Sequence, residues 1–253
     1  MKEADREGLQ NAARFAIQPN MWGFCGEDEC QEILRNFVTE KSDNSELVRV
    51  TLHEHGFPHL NSFLESIAIK TGLDLFNEEV VLSYWLGGPL TEEVGVDNKD
   101  VLDECYRKQI SPEFGNRLEK VLPEKIYLTH LSQVALVAAA DYQGAEKTNL
   151  INHCMIAFGR VLELDSKNRM AVVEREVLKK TDSGYKVVAN KQKVKIDADL
   201  TPEIKKGDEV TIHLGYLSSR INKKWPTGLN FGPEKLQRSS KLARPVCRFQ
   251  YRR

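Results

Sequence analysis

Cys154 and His213 are the residues whose types and setting could do chemistry. Cys154 stands in "NHCMIAFGRVLELD", at the entry of an apolar, β-branched run, and His213 lies in "DEVTIHLGYLSS", two residues before Gly215. The first and last strands of a small closed sheet are often neighbours, so the two side chains can be brought together. A facing cysteine and histidine have two chemical uses. The imidazole can lower the thiol pKa and create a thiolate nucleophile, or the sulfur and nitrogen can ligate a transition metal. A third reading is structural, a buried thiol beside a strand histidine with a satisfied hydrogen bond. Spacing alone does not choose among them.

The elements that must position this pair divide the chain into an α+β arrangement. Residues 1–122 read as an all-α helical domain of six or seven short helices. "EADREGLQNAARFAI" places Leu9, Ala12, Ala13 and Ala16 at helical spacing. "GEDECQEILRNFV" has acids in its first turn followed by Ile33, Leu34, Phe37 and Val38. "SELVRVTLHEHG" stops at Gly56, "PHLNSFLESIAIKTG" opens on Pro58 and ends at Gly72, and "NEEVVLSYWLGG" and "NKDVLDECYRKQI" add two more. Residues 123–152 read as a connecting strand and linker, with "IYLTHLSQVALVAA" as a buried strand. Residues 153–222 read as a small β-barrel of OB-like type, because short β-rich segments alternate there with turns such as "DSKN" and "DSG". Its middle reads as an extended hairpin around "KKTDSGYKVV".

Composition narrows the classes further. The 253-residue chain is 41% hydrophobic and 29% charged with a formal net charge of −1, which gives no general pull toward nucleic acid or an anionic membrane. No apolar run reaches the about 18 residues that a membrane span requires. The start is charged and lacks the apolar core of a secretory signal, and the five cysteines form no disulfide framework. Reduced thiols in a cytoplasmic protein are therefore expected. Residues 223–253 read as a basic C-terminal helix or tail, in which Glu234 faces Lys235, Arg238, Lys241, Arg244, Arg248, Arg252 and Arg253.

Other clusters carry weaker signals. "HEHGFPHL" gathers His53, His55 and His59, but residues two apart on a helix point to different sides and Gly56 and Pro58 interrupt the element. Cys25 and Cys30 are too far apart for a zinc knuckle, and no second pair completes a ligand set. "SYWLGGPL" lacks the Lys-Ser/Thr of a phosphate loop; Trp85 reads as a core or interface anchor.

Two separated motifs carry a family resemblance. "CMIAFGRVLELD" and "IKKGDEVTIHLGYLSSRIN" resemble, in order and spacing, the small hydrogenase accessory proteins of the HypC/HupF family. Cys154, Gly159 and Arg160 match the first motif; Gly207, Asp208, Val210, His213, Gly215 and Tyr216 match the second. The resemblance spans residues 153–222 and implies a small β-barrel that carries the iron of the Fe(CN)2CO centre. It implies Cys154 as the thiolate ligand and His213 as a second ligand or orienting group. In that family the cysteine becomes the mature N-terminus. Here it is internal, and His153 is the adjacent nitrogen donor. The whole chain also resembles an uncharacterised prokaryotic family through "ARFAIQPNMWGFCG" and "YWLGGPL".

The resulting expectation is an accessory or maturation protein rather than a turnover enzyme. It would act through protein contacts, with Trp85 and Tyr216 as partner-binding residues. By resemblance the partner is a nickel-iron hydrogenase large subunit or another maturation protein. Two alternatives stay open: a cysteine-nucleophile enzyme using Cys154 and His213, and a barrel-type binding module without metal. Nucleic acid is disfavoured because the β segments offer few aromatics on which bases could stack.

Overall fold

The computed structural model describes residues 3–55, 57–87, 90, 96–97, 111–119, 125–126, 128–141, 144–182, 184–201 and 203–221. The expected helix over 98–110, the Gly56 cap and the basic segment 223–253 lie outside them. Helix α1 (Glu3–Met21) buries the anticipated Leu9, Ala12, Ala13 and Ala16 stripe together with Phe15 and Ile17. Helix α2 (Cys30–Val38) buries Leu34 and Phe37. Helix α3 (Ser45–Glu54) is capped by Asn44, whose side chain accepts from the Leu47 N–H at 3.0 Å. Helix α4 (Pro58–Thr71) starts on its proline and ends at Gly72, with φ of 70°. Helix α5 (Glu78–Leu86) is capped by Asn77 and is buried from Val80 to Leu86. Strands β1 (Val96–Asp97) and β2 (Lys125–Ile126) form a short antiparallel pair, and helix α6 (Pro112–Glu119) falls between them in sequence.

The segment expected as a connecting strand is helical instead. Helix α7 (His130–Asp141) and helix α8 (Gly144–Cys154) occupy most of it. Thr129 explains the start of α7: its hydroxyl accepts from the Ser132 N–H at 3.2 Å, an N-terminal cap that the apolar run conceals. The run "VALVAAAD" is rich in alanine, the strongest helix former, and that propensity outweighs its valines. The β region therefore begins at Ala157 rather than at 153, and Cys154 ends a helix rather than entering a strand.

Five strands follow: β3 (Ala157–Asp165), β4 (Met170–Thr181), β5 (Gly184–Ile196), β6 (Glu209–His213) and β7 (Tyr216–Arg220). Their order is β3-β4-β5-β7-β6, and β6 pairs back onto β3, with Ala157 opposite Ile212 and Arg160 opposite Glu209. The expected long hairpin is β4–β5, paired from Met170 opposite Lys195 to Thr181 opposite Gly184. Val161, Val173, Val194, Val210, Ile212 and Leu217 fill the interior of the sheet. Gly159 sits where strands approach closely: a Cβ there would lie 2.9 Å from Ile212 Cδ1 and 3.0 Å from the Glu174 carbonyl.

The helices pack onto this sheet as a second layer. The helical core, built on residues such as Phe15, Phe63 and Tyr84, includes Ile156, just before β3, and Leu200, in the connection from β5 to β6. Arg35 of α2 grips Asp197 at 2.6 and 3.2 Å just past the end of β5. Burial alone would raise the Asp197 carboxyl; the Arg35 hydrogen bonds and charge outweigh it and hold that pKa below its usual value. The charge-assisted bond fixes the helical layer relative to the sheet, which matters because the site lies between them.

Gly8 marks the tightest point in the helical layer. A Cβ on it would stand 2.0 Å from the Phe76 carbonyl oxygen and 2.6 Å from the Glu78 nitrogen. On an exposed helix Gly→Ala would gain up to ~1 kcal/mol. Here Gly8→Ala is expected to lower stability by about 1–3 kcal/mol through overpacking, read as a lower urea midpoint. An unchanged or higher midpoint would contradict this backbone contact.

Candidate metal centre

One donor atom from each of His130, Cys154 and His213 lies within 4.8 Å of the others, a grouping found among the described residues. The three come from separate elements: the first residue of α7, the last of α8 and the last of β6. His213 is fully buried and His130 is 6% exposed, while Cys154 is partly exposed at the rim.

Backbone chemistry positions each side chain. β6 and β7 are joined by Leu214 and Gly215, both with positive φ (50° and 78°), as a two-residue hairpin turn requires. That turn aims the Leu214 N–H at the His153 carbonyl, 2.9 Å away. Asn152 then treats β4 like a neighbouring strand: its amide donates to the Leu178 carbonyl and accepts from the Leu178 N–H, each at 2.8 Å. Arg175 donates to the Asn152 carbonyl at 2.6 Å, placing a cation at the negative end of α8. Desolvation lowers that guanidinium's pKa to about 10. With residues 152 and 153 both tied down, the last turn of α8 has little freedom, and Cys154 faces His213.

The imidazoles are set with equal care. His213 Nδ1 lies 3.2 Å from the Phe15 carbonyl of α1. A carbonyl only accepts, so Nδ1 carries the proton and Nε2 keeps its lone pair. His213 Nε2 and His130 Nδ1 are both buried without a hydrogen-bond partner. Trp85 packs over both rings, with centroids 4.5 Å from His130 and 5.8 Å from His213, and Tyr84 meets His130 edge-on at 5.8 Å. Tyr84 is held by a hydrogen bond to Gln133 of α7. The result is an aromatic wall around two imidazoles and a sulfur.

Electrostatics keep all three groups neutral in the metal-free protein. Burial lowers His213 to about 4, partly opposed by hydrogen bonds from the ring to the Phe15 and Cys154 backbone carbonyls. Burial and the neighbouring His213 push His130 well below its ordinary range. Burial, with Cys25 nearby, pushes the Cys154 thiol up to about 12. This is the reverse of a thiolate–imidazolium pair, whose thiol pKa is low. It leaves two nitrogen lone pairs ready for a cation, and a thiol that must release its proton to ligate. Donors around one ion at about 2.0–2.3 Å would sit ~3.3–3.8 Å apart, so the set needs to close by roughly an ångström.

The sequence-derived residues divide clearly. Cys154 and His213 come together. His153 does not: its side chain is exposed, because consecutive helical residues point about 100° apart, and only its carbonyl serves the site. His130, which sequence reasoning missed, takes the third place. Its one local signal was the Thr129 cap, which reveals a helix but not what that helix faces. Trp85, expected as a partner-binding residue, is 5% exposed and belongs to the wall of the centre. Large exposed aromatics among the described residues are instead Trp22 and Phe24, at 55% and 53%. Tyr216 is half-buried with Lys195 over its ring, at 5.4 Å. Gly207 supports a turn at φ of 92°, closed by Asp208, whose carboxylate accepts from the Lys205 N–H at 2.8 Å; Arg160 is exposed. His53 and His55 form surface pairs with Glu65 and Glu27, at 3.0 and 3.4 Å. Among the described residues no helix is long and apolar enough to cross a membrane.

Over residues 4–235 the sequence matches a family described as "Family of unknown function (DUF6390)". No curated protein and no solved structure matches the chain significantly.

The neutral histidines give the metal-free protein an acid sensitivity of definite sign. An unfolded His takes up a proton near pH 6.5, whereas folded His213 does so only near 4. Stability is therefore complete above pH 6.5 and falls as pH drops from 6.5 toward 4, by ~3 kcal/mol for His213 alone. Chelator-treated protein unfolded by urea at several pH values should show this loss. The His213→Gln variant should show a shallower one; an equal slope in both would contradict the assignment.

Proposed function

The chain belongs to the DUF6390 family, and we propose that it is a metal-holding accessory protein whose ion sits among Cys154, His213 and His130. One observation carries the reading. Three neutral donors from three elements converge behind an aromatic wall, and two of them present buried nitrogens with no other partner. Buried polar atoms left unpaired in a folded protein point to an unassigned occupant, and a thiolate with two imidazoles suits a transition metal.

Iron is the ion this reading favours. The resemblance of residues 153–222 to the HypC/HupF proteins required a motif cysteine and a motif histidine to meet, and they do meet. The closed pairing of the five strands supports the likeness to a small OB-like barrel. On this reading the chain carries iron, as Fe(CN)2CO, to a nickel-iron hydrogenase large subunit or another maturation protein in the cytoplasm. Free thiols at Cys25, Cys30 and Cys154 accord with a reducing compartment. Trp22 and Phe24 offer apolar contact area to the partner.

The chain's own groups do defined work in loading and holding the ion. Cys154 gives up one proton on binding, and its partly exposed position leaves that proton a route to solvent. His213 keeps its Nδ1 proton on Phe15 throughout, so its orientation does not change with occupancy. Trp85 and Tyr84 exclude water, which strengthens each donor's interaction with a cation.

Anaerobic reconstitution with ferrous iron should give one iron per chain. Cys154→Ala, His213→Ala and His130→Ala should each weaken binding beyond the ~10–100-fold typical of outer-shell changes. His153→Ala should bind like the wild type. Stoichiometric iron retained by Cys154→Ala would overturn the reading. Infrared bands of cyanide and carbonyl ligands in the natively purified protein, with retention of the hydrogenase large subunit, would support the carrier role. Iron without either would leave a resident metal and contradict delivery.

A further inference from the structure

Helix α1 contains a proline in its body, Pro19, which is buried. In an α-helix the N–H of residue 19 would bond to the carbonyl of residue 15; proline has no N–H, and its ring crowds that carbonyl outward. The Phe15 carbonyl is thus released from the ladder inside a buried helix, where an unpaired acceptor is unfavourable. It is this carbonyl that lies 3.2 Å from His213 Nδ1.

We propose that Pro19 is a positioning residue for the metal centre: by withholding an N–H it reserves the Phe15 carbonyl for His213, fixes the proton on Nδ1, and leaves Nε2 as the donor. The metal role rests on the reading above; the tautomer does not. Any other residue at position 19 restores a ladder N–H that draws the carbonyl back along the helix axis, away from the line to the imidazole. The His213 ring then loses the partner that defines which nitrogen is protonated. Such outer-shell partners of ligating histidines set tautomer and orientation in metal sites generally. Here the partner is a main-chain group on α1, so a proline sets the state of a side chain that is distant in sequence.

Nitrogen-detected NMR of His213 in the metal-free full-length chain tests the first half. At neutral pH the wild type should show a protonated Nδ1 and an unprotonated Nε2. The reverse pattern would overturn the proposal without any variant and without any metal. The Pro19→Ala variant tests the second half. Alanine is a better helix former than proline, so a purely structural role predicts an equal or higher melting temperature and unchanged ferrous iron affinity. The proposal predicts a mixed His213 tautomer and ~10–100-fold weaker iron binding. Unchanged tautomer in Pro19→Ala would overturn it. If the wild type binds no iron, the metal reading fails, and the tautomer comparison still decides whether Pro19 governs His213.

Discussion

A fully buried imidazole cannot leave its two nitrogens to solvent, and that constraint on His213 organises the region around it. One nitrogen is answered by the Phe15 carbonyl at 3.2 Å. The other, Nε2, has no hydrogen-bond partner of good geometry among the described residues, and the ring stands beside Cys154 and His130. Filling the second need with a protein donor would have been simple, since serines and threonines are buried nearby in β6 and β7. Instead the fold brings a thiol and a second neutral imidazole, neither of which carries spare charge. Desolvation is what keeps these rings uncharged, so burial and the presence of a free nitrogen lone pair are here linked.

Holding three donors from three elements demands rigidity at each origin. The last turn of α8 is tied through Asn152 to β4 and through His153 to the β6–β7 turn. The start of α7 is capped by Thr129 and braced by the Tyr84–Gln133 hydrogen bond. The helical layer is clamped to the sheet by Arg35 and Asp197. The centre lies between the two layers, so an occupant would join them, and the layers in turn exclude water from it. This is how a modest set of contacts can preorganise ligands that no single element could present.

Much of this was legible in the sequence, for identifiable reasons. Helices α1 to α5 announced themselves through apolar stripes and caps, and the β4–β5 hairpin through β-branched runs around a turn. Cys154 and His213 were found because a cysteine and a histidine near opposite ends of a β-rich stretch stand out by residue type, and the pairing of β3 with β6 brings those ends together. His130 was not, since pairing between residue 130 and residues 154 and 213 is tertiary and leaves no local periodicity. The same segment misled the strand assignment: valine-rich apolar runs read as strand until the alanines and the Thr129 cap are weighed. His153 was favoured by adjacency to Cys154, but adjacency along a helix separates side chains rather than joining them. Trp85 looked like an anchor for a partner, and its ring is an anchor, turned inward onto two histidines.

The most direct measurement is X-ray absorption at the metal edge of the protein loaded with a single equivalent of zinc as a spectroscopic probe. The account predicts one sulfur scatterer at about 2.3 Å and imidazole nitrogens at about 2.0–2.1 Å, with the sulfur lost in Cys154→Ser. A shell of oxygen and nitrogen alone, or a sulfur signal unchanged by that substitution, would contradict the centre described for Cys154, His130 and His213.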